Sequence, residues 1–128
     1  MNERTVKKVV FAKSEYLISI SYVEGAYSKV LESNELYNDS FAKTLKSFSE
    51  NLSKELKLDD SCILRVKGIV FPIKKKKVPR INLVAFFNNV QLVNMSLSLT
   101  DETSKTAQLC DEIRTFCAEY IDGVRAEG

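Results

Sequence analysis

Apolar residues in this chain change their spacing from two to between three and four, and they do so twice. In residues 16–23, YLISISYV, the set Tyr16, Ile18, Ile20 and Tyr22 alternates with Leu17, Ser19, Ser21 and Val23. That period places the first set on one face of a strand, the face expected to be buried. Further on, Tyr37, Phe41, Leu45, Phe48, Leu52 and Leu56 recur at steps of four, four, three, four and four. These steps form one apolar stripe along a helix. After residue 61 the pattern returns. CILRVKGIVFPI, VPRINLVAFF and VQLVNMSLSL read as strands, and a second helix follows. Its face is marked by Ala107, Cys110, Ile113, Cys117, Tyr120 and Val124, and broadened by Leu109, Phe116 and Ile121.

The first third adds a strand over VKKVVFA (residues 6–12) and a short one over AYSKVLE, entered through a Glu24-Gly25 turn. Ser33, Asn34 and Asp39 are candidate caps for the first helix, and Thr100 or Asp101 for the second, with Gly123 as its stop. Asp59-Asp60-Ser61 reads as a loop and Asn88-Asn89 as a hairpin turn. The expected fold is α+β: a mostly antiparallel sheet with two amphipathic helices, in one domain spanning residues 1–128. The order βββα-βββα suggests an internal repeat with halves 1–60 and 61–128. LKSFSENL (residues 45–52) aligns with IRTFCAEY (residues 113–120), pairing Lys46 with Arg114 and Phe48 with Phe116.

Two helices cover one face of a six-stranded sheet, yet INLVAFF is apolar on both. Ile81, Leu83, Ala85 and Phe87 alternate with Val84 and Phe86, and Val90 and Leu92 follow opposite Val93, Met95, Leu97 and Leu99. Exposed apolar area of this kind marks an interface, so a homo-oligomer packed through the sheet is expected, or a sheet curled on itself.

Charge is partitioned. Residues 61–100 contain no Asp or Glu but carry Arg65, Lys67, Lys74, Lys75, Lys76, Lys77 and Arg80, a formal charge of plus seven. The segment from Asp101 onward has seven acids against Lys105, Arg114 and Arg125. The lysine run lies in FPIKKKKVPR, at the tip of a hairpin over residues 62–87. These seven cations are the candidate nucleic-acid or polyanion site, because neutralising phosphates releases counterions and gives salt-sensitive affinity. Bases also need rings to stack on, for which Phe71, Tyr22 and Tyr27 are candidates. The plainer reading is a solvated tip in which lysines and the flanking Pro72 and Pro79 guard a hairpin against edge pairing. A third is docking of that tip on the acidic helix of a neighbouring subunit.

Histidine is absent, which removes Ser-His-Asp, Cys-His and HExxH chemistry. The four glycines are scattered, so no phosphate-cradling glycine loop exists. No carboxylate pair stands out as catalytic, and no metal or cofactor is expected. Cys110 and Cys117 sit on the apolar helix face as small hydrophobes. Three cysteines, an odd number, fit a reducing compartment, and no stretch is apolar enough for a leader or a membrane span; the cytoplasm is the expected location. The amides and hydroxyls Asn82, Asn88, Asn89, Gln91, Asn94, Ser96 and Ser98 are a second candidate for reading bases or small polar ligands.

In element order alone, a repeated strand-rich unit ending in a helix resembles the single-strand-binding Whirly and Pur families. Those use four strands per unit; three are found here, no motif matches, and none of their binding residues carries over. The expected role is a non-enzymatic protein binding single-stranded nucleic acid or another polyanion through the basic hairpin. The alternative is a small interaction or inhibitor protein, such as a phage or mobile-element accessory factor, that sequesters a protein or an anionic small molecule.

Overall fold

A computed structural model describes residues 4–58, 61–73, 77–87 and 91–126, with backbone alone for Phe87 and Gln91. The chain runs β1 (Arg4–Lys13), β2 (Tyr16–Glu24), β3 (Tyr27–Ser33), α1 (Asp39–Glu55), β4 (Cys62–Val70), β5 (Arg80–Phe87), β6 (Gln91–Ser98) and α2 (Lys105–Ile121). All six strands join one antiparallel sheet in the order β3-β2-β1-β4-β5-β6. The α+β class and the two-helix, antiparallel architecture are therefore as expected. The Asp59-Asp60 and Asn88-Asn89 turns lie outside the described residues.

The centre of the sheet joins the halves through only three pairs, Lys8↔Val70, Val9↔Ile69 and Val10↔Gly68. Adding 60 to each β1 number gives 68, 69 and 70, the same three β4 residues, so this register maps onto itself when the halves are exchanged. Each half also has one extra residue in its first strand. The register shifts between Val6 and Lys8 against β2, and between Val66 and Gly68 against β5, leaving Lys7 and Lys67 as the bulges. The residues around them correspond. VKKVVF at 6–11 and VKGIVF at 66–71 share Val6/Val66, Lys7/Lys67, Val10/Val70 and Phe11/Phe71, with Val9 matched by Ile69.

Both helices lie on the same face. Val9, Ile18 and Ile20 from one half and Ile69, Ile81 and Leu83 from the other are buried there against Phe41, Phe48 and Leu52 of α1 and Cys110, Ile113 and Cys117 of α2. Each helix also reaches the first strand of the other half, α1 touching β4 and α2 touching β1. Further ties interlock the halves: Tyr120 Oη donates to the Glu35 carbonyl (2.6 Å), and Ala126 N–H donates to the Leu36 carbonyl (2.9 Å).

The caps differ from those expected. Asn38 caps α1, its Oδ1 accepting from Phe41 N–H at 2.9 Å, and Ser104 caps α2, its Oγ accepting from Ala107 N–H at 3.1 Å. The other candidates are engaged elsewhere. Asn34 Oδ1 accepts from Leu17 N–H on β2, Ser33 Oγ accepts from Glu35 N–H, and Asp101 closes a turn with Thr103. Asp39 is the first residue inside α1. Gly123 does follow the end of α2, at φ +104°, which carries Val124 off the helix face into an exposed position.

Candidate nucleic-acid interface

The helices leave the other sheet face bare, and its chemistry follows from the alternation of each strand. With Ile69, Ile81 and Leu97 in register beneath the helices, the neighbouring Gly68, Asn82 and Ser96 form the next rung on the open side. Arg65, Val84 and Asn94 form a second rung, and Val70, Arg80 and Ser98 a third. The β4 bulge adds Lys67 beside Gly68. From β1 come Lys8 and Val10, paired with Val70 and Gly68. Strands β1, β4, β5 and β6 contain no Asp or Glu. The nearest acid in register on this face is Glu32 of the edge strand β3, opposite Ser19.

The described members of the expected site line several grooves. One, of about 480 Å³, is lined by Lys67 with Lys8, Lys13, Asn82, Asn94 and Ser96. Another, of about 420 Å³, brings Lys77 and Arg80 together with Lys7, Phe71 and Ile73. Arg65 stands with Lys67 and Asn94 in a third opening that adjoins the first. Lys74, Lys75 and Lys76 lie outside the described residues. Lys7, Lys8 and Lys13 were not among the candidates, because in sequence they belong to a charge-balanced first half; the central β1–β4 pairing carries them to the acid-free strands. Of the polar set, Asn82, Asn94 and Ser96 converge on one groove and Ser98 is on the same face, whereas Asn88 and Asn89 are outside the described residues.

Among the described residues the ion pairs lie elsewhere. Arg4 bonds Glu24 (2.9 Å) and Asp122, Lys29 bonds Glu24 (3.0 Å), and Arg125 bonds Glu35 (3.4 Å). The hydrogen bonds from Lys29 and Arg4 hold the Glu24 carboxyl below its ordinary value. None of these pairs engages Lys8, Lys13, Arg65, Lys67, Lys77 or Arg80, so no contacting carboxylate among the described residues cancels their fields in the grooves.

The expected stacking rings are not on this face. Phe71 is buried beneath the Arg114 guanidinium, 5.3 Å from its centroid. Tyr22 packs on the helix side with Arg4 over it, and Tyr27 is exposed at the far β2–β3 hairpin. The open side instead shows half-buried Phe86 with exposed Ile63 and Leu92 in one rung. Val84 is buried on this side too.

No group of three or more Cys, Asp or Glu among the described residues is placed to hold a metal. All three cysteines are free. Burial pushes the Cys110 thiol up to about 12 and the Cys117 thiol higher still. Neither forms thiolate near neutral pH, so at pH 8 only half-buried Cys62 is expected to react with a thiol reagent until the protein unfolds. Two or three equivalents consumed by native protein would contradict that burial. No protein-family model, curated protein or solved structure matched the chain.

Proposed function

We propose that this protein binds rather than catalyses, and that its open sheet face takes a polyanion, with single-stranded nucleic acid as the ligand class. The observation that carries this reading is the acid-free tract of four strands with Lys8, Lys13, Arg65, Lys67 and Arg80 along its grooves, none of them ion-paired among the described residues. Amides and hydroxyls lie between these cations, and apolar Val84, Phe86 and Leu92 lie beside them. A strand with unstacked bases has something to offer every part of that surface: phosphates to the cations, base edges to Asn82 and Asn94, ring faces to the apolar rung. Duplex DNA presents its phosphates outward and would leave the apolar rung uncovered.

With four to five phosphate contacts on a single strand, raising salt from 50 to 200 mM is expected to weaken binding by roughly 50- to 130-fold. Fluorescence anisotropy with a labelled oligonucleotide measures it. No binding at 50 mM salt sinks the reading. Exposed Ile63, Val70 and Leu92 support a second reading of the same face, self-association. A native mass above one chain that is insensitive to salt and unaffected by oligonucleotide would favour it. We further propose that the halves descend from one duplicated unit and, from the three unpaired cysteines, that the protein works in the cytoplasm. No described helix is long and apolar enough to cross a membrane.

A further inference from the structure

The sheet is split at its centre. Strand β1 runs on to Lys13 and β4 begins at Cys62, but their pairing covers only Lys8–Val10 and Gly68–Val70. Beyond Val10 the strands diverge, and among the described residues no ladder pair joins Phe11–Lys13 to Cys62–Lys67. Two openings meet at this split. One of about 350 Å³ lies on the open face, and one of about 250 Å³ reaches toward α1; Phe11, Ala12 and Arg65 line both. Together they are large enough to admit a planar ring system. Ala12 holds a positive φ of 53° at the rim, an unusual backbone for a residue with a Cβ.

The other half shows what such a split accepts. Phe71, the counterpart of Phe11, is covered by the planar guanidinium of Arg114. That group also donates through Nε (3.1 Å) and Nη2 (2.9 Å) to the carbonyl of Val6. On α1 the position aligned with Arg114 is Lys46, which lines the smaller opening but has no planar group to offer. Val66, the counterpart of Val6, borders the same opening. Phe11 itself is fixed edge-on by Tyr37 (6.3 Å) and Phe41 (6.2 Å). Burial raises the Tyr37 hydroxyl above its ordinary value, and the charge of Arg65 opposes that rise, so the arginine field reaches into the split.

We infer that the split beside Phe11 receives one nucleobase of the bound strand. The base stacks on the Phe11 ring with an exocyclic amino group toward the Val66 carbonyl, and its phosphate rests on Arg65 and Lys67. This rests on the polyanion reading of the open face and specifies the ligand further. The base does for Phe11 what Arg114 does for Phe71. A guanidinium from a partner would fit the ring equally but is repelled by Arg65 and Lys46; a neutral planar group tethered to a phosphate is attracted.

The test compares a ten-nucleotide deoxyoligonucleotide with an abasic strand of the same length, at one low salt concentration. The intact strand is expected to bind at least roughly ten-fold more tightly, the effect of stacking one base at the split with the base contacts of the open face added to it. Phe11→Leu is expected to weaken intact-strand binding by roughly ten-fold, the share of the one base at the split, and to leave abasic affinity unchanged. Should Phe11→Leu fail to fold, Lys46→Arg serves, because it keeps the charge while supplying the planar plug. It is expected to lower intact-strand affinity alone. Equal binding of intact and abasic strands overturns the base site while leaving the phosphate reading in place. Failure of both strands to bind removes the phosphate reading as well.

Discussion

Changing Lys8, Lys67 and Arg80 together to glutamate is expected to abolish oligonucleotide binding at 50 mM salt. All three are exposed, and no ion pair or hydrogen bond among the described residues depends on them, so the fold is expected to persist by circular dichroism. The variant moves formal net charge from plus two to minus four and concentrates the change on the acid-free strands. Losing three phosphate contacts alone lowers the magnitude of the log-affinity against log-salt slope by roughly two units. Three new negative charges then repel the phosphates that remain. Reversing Lys74, Lys75, Lys76 and Lys77 is the informative companion, because Lys77 shares a groove with Lys7 and Arg80. It is expected to weaken binding and make its loss with salt shallower, without abolishing it. If the tip variant abolishes binding and the face variant does not, the hairpin tip alone is the site and the open face is not.

The second large effect is on stability. Gly68→Ala is expected to cost about 1–3 kcal/mol, the usual penalty of forcing extra atoms into a packed site. For a domain of this size that lowers Tm by roughly 5–12 °C. A Cβ at residue 68 would lie 2.7 Å from the Val9 carbonyl oxygen, on the backbone of the neighbouring strand. No side-chain rotation relieves a backbone contact, so β1 and β4 must move apart. Three ladder pairs, one of them through Gly68, and the Phe71 N–H to Lys7 carbonyl bond (2.8 Å) hold this seam. Gly123 is the contrast. Nothing lies within 4 Å of a Cβ there, and the cost of substitution comes from its φ of +104°. Thermal unfolding of Gly68→Ala within about 2 °C of wild type would show that the central seam accommodates a methyl group.

How much of this was legible in the sequence varies with the range of the interaction. The helix stripes and the alternation at residues 16–23 predicted their buried faces residue by residue, since period and burial are locally coupled. Caps were less legible. Asn34, Asn38, Asp39 and Asp101 are equally good cap residues in isolation, and what separates them is a hydrogen bond to β2 in one case and a closed turn in another. The correspondence of VKKVVF with VKGIVF was present in the letters, but only the paired bulges and the self-mapping register give it structural meaning. Lysines of residues 61–80 stood out by their number. Lys8 and Lys13 did not, and the stacking rings were misplaced, because a phenylalanine beside lysines in sequence can point beneath a helix, as Phe71 does.

By itself, then, the sequence determined the element types, the two-helix α+β class, the acid-free segment and the absence of histidine chemistry. Each depends on residues near one another along the chain or on composition. Only the tertiary structure decided that β1 and β4 meet at the centre, because strand order depends on pairings between residues about sixty positions apart. That single pairing brings first-half lysines onto the basic strands. It also leaves the split at Phe11 open where Arg114 covers its counterpart.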